Sequence, residues 1–470
     1  FPLQHFLPHM GLSPFSGFVR TQGHGTDFMN PRSSVNLSLR IQRFKYGKYV
    51  LDGLNGDVSK HGEQLSAHIK STNRMLGGDF SYRGQMNAKS VNGHVRGWLR
   101  RVDLHALGMM KERYVVSTWA DVDVRSDMTA NHHVMGSLRS FRFLQEGRKK
   151  SRLLAAGSFD VRADVRPAGL DTHVKGRLAT ADLQALGLIG KHYVTSADAD
   201  LSLRSDMKHY YAVNGYVGKV MLNELRKGGY VPLVEGSFHV DAAMRGGKID
   251  GAVKGVFPRI DLYQLGVVDR PLSSSFAVNA SFAMSGKDDL RVRGLIGDLH
   301  VSDQHHTYVP GDVNVDLMSR RDTVHAVVDG GDFQLSTAFN SSVHQLAEAG
   351  QRIYKSLLGQ IASRRIDQSA ILRQLPTGHF TLRSGPNNLF SSLLAQDGYA
   401  FRQADVDLTS SPAKGIDGRI DVDSLVYNEI HLDSIRAVLT SVGGQINYSV
   451  AVNNSPENTY PYHGYLRGVL

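Results

Sequence analysis

The sequence predicts a mainly β protein: short antiparallel strands joined by tight turns and arranged as a repeat array. Two observations lead there. The first is period-two alternation: Phe159, Val161, Ala163 and Val165 alternate with Asp160, Arg162, Asp164 and Arg166. Successive strand side chains point to opposite faces, so such a run makes a strand with one apolar and one wet face. The second is a repeat. Asp103-Leu104, Asp182-Leu183 and Asp261-Leu262 stand 79 residues apart, as do Leu107-Gly108, Leu186-Gly187 and Leu265-Gly266. Gly97, Gly176 and Gly255 keep that interval, and so do Gly136, Gly215 and Gly294. Four landmarks in one register mark a stacked, quasi-one-dimensional architecture.

Strands are expected from Val35 to Ile41, Ala197 to Leu203, Phe276 to Met284, Ala404 to Leu408, Ile420 to Val422, Ile430 to Leu432 and Ile446 to Val452. Glycine and short polar stretches separate the runs, and helical crossovers are missing between most of them, which disfavours a parallel sheet. Each Asp-Leu-x-x-Leu-Gly unit reads as a single helical turn, capped by Asp and ended by Gly. It recurs without a reactive residue, so a structural corner is expected there. The organisation reads as a divergent β region over 1–92 and repeats over 93–171, 172–250 and 251–340. A helical insertion follows over 341–376, then further strands over 377–470. Within the insertion Val343, Leu346, Ile353, Leu357 and Ile361 fall near one helical stripe, expected to pack across the sheet or to lie on a membrane or partner. A second helix is expected from about Asp367 to Leu375, and a short one over Asn388 to Ala395.

Composition narrows the function. The chain has 470 residues, 48 glycines, no cysteine and a net charge of +10. Disulfide frameworks and cysteine-based zinc sites are excluded. The charges are interspersed, which fits a solvated mixed surface better than a polyanion patch. No apolar run is long enough to span a bilayer. The chain is read as an internal or processed segment, with any membrane contact made by regions outside it.

No catalytic constellation stands out. There is no nucleophile elbow, phosphate loop or zinc-protease motif, and Gly23-His24-Gly25 lacks the third glycine of a dinucleotide fingerprint. His132-His133 and His305-His306 invite a metal reading, but adjacent strand residues face opposite ways. Asp121, Asp123 and Asp127 lack the glycine and glutamate of a calcium loop. With 2 tryptophans and no regular aromatic–basic interleaving, a nucleic-acid partner is not expected. No enzyme, metal or cofactor is expected. The apolar strand faces must still be buried, in a sandwich, a filled solenoid core or a groove lined for lipid chains; pattern alone leaves these open.

Val313 to Leu335, the Asp-Leu-x-x-Leu-Gly units, the helical break after Phe339, Arg365-Ile366-Asp367, Val406-Asp407-Leu408-Thr409-Ser410-Ser411-Pro412 and the opening Phe1 to Pro8 with Ser16-Gly17, taken in order, resemble one family. It is the TamB family of envelope proteins (translocation and assembly module, AsmA-like superfamily), in its Bacteroides-like form. The resemblance spans essentially the whole chain. It implies an elongated, U-shaped antiparallel β-sheet, a "β-taco" with an apolar groove, in a periplasmic protein anchored in the inner membrane. It also implies two roles: carrying phospholipid acyl chains between inner and outer membranes, or scaffolding outer-membrane protein assembly with a barrel partner by strand addition at a sheet edge. A filled structural solenoid is the third reading. The expected groove lining is Phe159, Val161, Val165, Leu201, Leu203, Phe238, Val240, Met244, Phe276, Val278, Phe282 and Met284.

Overall fold

The computed structural model describes residues 16–25, 30–46, 49–108, 110–147, 150–286, 289–303, 305–363, 367, 372–427, 430–443, 445–454 and 463–469. The protein is mainly β, an open antiparallel sheet of 27 strands that does not close into a barrel. The expected fold class is borne out, including the helical insertion. Contacts divide the chain into Phe1–His239 and Val240–Leu470, described in turn. The opening Phe1 to Pro8, Arg364 to Ile366 and most of the helix expected over 367–375 lie outside the described residues.

The first unit is a meander. Its strands are β1 Ser16–His24, β2 Ser34–Tyr46, β3 Tyr49–His61, β4 Gln64–Thr72, β5 Leu76–Met86, β6 Val91–Asp103, β7 Tyr114–Ser126, β8 His132–Glu146, β9 Ser151–Arg166, β10 Gly169–Asp182, β11 Tyr193–Ser205 and β12 Tyr210–Arg226. Each pairs antiparallel with the next. β13, Gly229–Arg245, spans the division. Short turns make this the simplest route for antiparallel strands.

The repeat is visible as geometry. Between β6 and β7 the register shifts at Leu99/Val102, and between β10 and β11 at Leu178/Ala181. Between β7 and β8 it shifts at Ser117/Trp119, and between β11 and β12 at Ser196/Asp198. Every one of these positions recurs 79 residues on. A bulge increases local twist and bends its strand, so aligned bulges crease the sheet along one line. Ser140 and Lys219 sit by this line in the left-handed region, with φ 51° and 48°.

The corners are built as the sequence implies. Asp103 Oδ1 accepts from the Ala106 N–H and Asp182 Oδ1 from the Ala185 N–H, both at 2.9 Å. The Leu107 and Leu186 N–H groups each donate to the Asp carbonyl four residues back at 3.0 Å. Gly108 and Gly187 end the turns at φ 76° and 74°. Buried Val115, Leu154, Ala181, Tyr193 and Leu233 collect at this end of the strands. At the opposite end Asp127 and Asp206 each accept three backbone N–H groups of their own loop.

The second unit continues with β14 Lys248–Asp261, β15 Ser273–Ser285, β16 Asp289–Ser302, β17 Thr307–Tyr308, β18 Val313–Ser319, β19 Val324–Gly330 and β20 Phe333–Phe339. The helix α1, Val343–Ser363, interrupts the strands before β21 Gly378–Ser384. Then come α2 Leu389–Gln396, β22 Tyr399–Ala400, β23 Gln403–Ser411, β24 Gly415–Tyr427, β25 Ile430–Val442, β26 Gln445–Asn454 and β27 His463–Val469. The third copy of the crease falls here, with register shifts at Phe257/Ile260 and Ser275/Ala277 and Asp298 at φ 50°.

Both helices are capped and seated. Ser342 and Gln345 form reciprocal side chain–backbone bonds at the start of α1. Ile353 of α1 packs on Leu372, Leu375 and Ile446, beside Ile416 and Leu439. The insertion therefore packs on the sheet, as one of its two expected readings had it. Asn388 caps α2 in a capping box, and Leu389 and Leu393 complete a cluster around buried Leu272, Leu299 and Val301. Burying those three side chains contributes on the order of 6 kcal/mol.

Candidate functional site: an apolar face of continuous rows

Cross-strand register decides which side chains share a face. In the first unit one row runs Leu37, Val58, Ala67, Tyr82, Val95, Val122, Gly136, Val161, Val174, Leu201 and Gly215, one residue per strand from β2 to β12. The neighbouring row on the same face runs Leu39, Gly56, Ile69, Phe80, Gly97, Ala120, Leu138, Phe159, Gly176, Ala199 and Val217. No charged residue interrupts either. At about 4.8 Å per strand, each row covers about 50 Å.

The repeat glycines stand in these rows. A Cβ on Gly136 would meet the Asp121 carbonyl oxygen at 2.2 Å, and one on Gly176 the Ser158 carbonyl oxygen at 2.2 Å. They are required by the close approach of the neighbouring strand. Tyr82 lies against Gly84 and Gly93, filling the space their missing side chains leave.

In the second unit a row runs Val253, Ala280, Gly294, Val315, Val328, Leu335, Leu382, Val406, Ile420, Ala437, Val450 and Leu466. Beside it run Phe282, Val292, Leu317, Ala326, Thr337, Phe380, Leu408, Gly418, Leu439 and Tyr448.

The expected lining residues are placed accordingly. Phe159, Val161, Val165, Leu201 and Leu203 share the apolar face of the first unit. Phe276, Val278, Phe282 and Met284 share that of the second, with the Phe276 ring 5.5 Å from Phe257. Phe238, Val240 and Met244 are half-buried on β13, with exposed His239, Asp241 and Arg245 among them. Most of these side chains are half-buried, and Leu203 and Met284 are 39% and 40% exposed. The first unit has no helix among the described residues to cover its face. Sequence reasoning missed Phe80, Tyr82, Val95, Val122 and Val174. The same alternation, with Ser81, Arg83, His94 and Arg96 between them, could have found them.

The opposite face is polar and tied by cross-strand ion pairs. His94 bridges Asp121 and Asp123 at 3.0 and 2.9 Å. One repeat on, His173 and Lys175 reach Asp200 at 3.1 and 2.9 Å. The hydrogen bond from Lys175 holds the Asp200 carboxyl below its usual range, against partial burial, and His133 does the same for Asp164. Asp127 instead ties its own turn, so the three carboxylates that suggested a calcium loop have different partners. His132 and His133 point to Ser126 and Asp164 on opposite faces. Among the described residues no cluster of three metal-ligating side chains forms, and no helix is long and apolar enough to cross a membrane.

Compared with protein-family profiles, curated proteins and solved structures, the chain matches none. Any functional reading therefore stands on geometry and on the resemblance described above.

Proposed function

We propose that this chain is a segment of a bridge-like lipid-transfer protein of the TamB kind, whose apolar rows conduct phospholipid acyl chains through the periplasm between inner and outer membranes. The observation that carries the reading is the pair of unbroken, half-exposed apolar rows in each unit. An exposed apolar face of this extent needs a cover. An acyl chain laid along it gains about 0.8 kcal/mol per methylene removed from water. Glycine and small residues keep the row smooth, so a chain moving from strand to strand exchanges one apolar neighbour for another. The head group stays at the wet rim.

The test is site-specific photocrosslinking in cells. A photoreactive residue at Val161 or Leu201 should capture phospholipid, and one at Arg162 or Ser202, on the opposite face, should not. Equal capture from both faces would sink the conduit. Capture of outer-membrane proteins from edge strands, with no lipid, would favour the assembly-scaffold reading.

A further inference from the structure

We propose that the second unit carries a head-group site for anionic amphiphiles, at the strand ends where β14, β15, β16 and β18 meet; the inference rests on the lipid reading above. A depression of about 350 Å³ opens there, within the range of small-ligand sites. Its apolar part is Ile249, Met284 and Leu290. Register puts these on the apolar face of Phe282, two residues further toward the strand ends. Met284 is 40% exposed, so the apolar face reaches the surface here instead of ending in polar side chains.

Three cations line the same depression: Lys248, Arg291 and Arg320. All three are exposed, and none is within ion-pair distance of a carboxylate among the described residues. That sets them apart from the rest of the polar face, where Arg293 pairs with Asp316 at 2.6 Å and Lys175 with Asp200 at 2.9 Å. Asp250 and Asp289 also line the site, leaving one net positive charge. Ser319 adds a further feature. It lines the depression, and its Oγ accepts from the Val343 N–H, so the positive end of α1 adjoins the site. Guanidinium and ammonium groups beside an exposed thioether suit a phosphate attached to an acyl chain. A zwitterionic head group brings its own cation and loses part of that attraction.

The experiment uses short-chain lipids below their micelle concentration, followed by the methionine methyl NMR signals of Met284 and Met318. Dihexanoyl-phosphatidylglycerol should bind about fivefold tighter than dihexanoyl-phosphatidylcholine, and inorganic phosphate should not shift the methyls. The triple variant Lys248→Gln, Arg291→Gln, Arg320→Gln should fold as wild type by thermal midpoint, bind both lipids, and lose the preference. Equal binding of the two lipids by wild type, or a preference surviving in the variant, overturns the site while leaving the conduit standing. Phosphate binding as tightly as the glycerol lipid reduces the site to a simple anion site and overturns the amphiphile. Binding of neither lipid by folded wild type overturns the conduit reading together with the site.

Discussion

Ser140 and Lys219 hold the same left-handed backbone conformation, φ 51° and 48°, 79 residues apart and beside the same register shift. Neither is a glycine, so nothing in the sequence marks them; the neighbouring strands impose the geometry. Gly136 and Gly215, four residues earlier in each copy, are the part the sequence does mark. The crease thus has a glycine column and a strained column. The glycine column yields a graded prediction. Gly136→Ala and Gly176→Ala drive a Cβ into a backbone carbonyl at 2.2 Å, and each should cost about 3 kcal/mol in urea denaturation. Gly187→Ala meets nothing within 4 Å but keeps φ 74°, and should cost about 1 kcal/mol.

The apolar face gives a second contrast. Leu233 is 0% exposed at the corner end, so Leu233→Asp buries an unpaired carboxylate and should cost 3 kcal/mol or more, roughly, enough to abolish soluble expression. Leu201 is half-exposed between Val174 and Gly215. Leu201→Asp should leave the circular dichroism spectrum and soluble yield near wild type. Equal loss of both variants would mean that the rows are packed core.

Acid should weaken the fold. Asp164 and Asp200 are held below their usual range by His133 and Lys175. At the corners burial pushes Asp103 and Asp182 up, but the Ala106 and Ala185 N–H groups and the adjacent arginines outweigh it, and both end below the usual range. Folded-state values below the unfolded ones mean that the unfolded chain binds more protons in acid. The stabilisation is complete above the ordinary carboxylate range, about pH 4, and is lost as pH falls through the folded values. Thermal midpoints between pH 7 and pH 2.5 should drop below about pH 4; a flat profile would contradict this account.

Ile353 ties α1 to Leu372, Leu375 and Ile446. Ile353→Asp should free the helix while sparing the meander. Hydrogen exchange over 343–363 should quicken at least tenfold, roughly the effect of losing 1.4 kcal/mol of local stability. Exchange in β7 to β11 should not change.

Strand existence was legible because alternation fixes which side faces inward, as from Phe159 to Val165. The corners were legible because an Asp cap and a left-handed Gly have few substitutes. The short helix expected over Asn388 to Ala395 appears as α2 for the same reason, its Asn388 cap being written in the sequence. Register was not legible. That Val161 stands beside Gly136 and Val174 depends on turn lengths and bulges such as Leu138/Phe141, which local propensity does not encode. Nor was the face of α1 legible, since Ile353 meets partners close to a hundred residues away. The head-group depression needed both, because Met284 and Arg320 come together only through the pairing of β15, β16 and β18.

The most direct test of the central claim is native mass spectrometry of the gently purified chain. The account predicts phospholipid adducts on wild type, and their loss from the Leu201→Asp, Phe282→Asp double variant at unchanged oligomeric state. A stable, monodisperse wild-type protein free of lipid would contradict it.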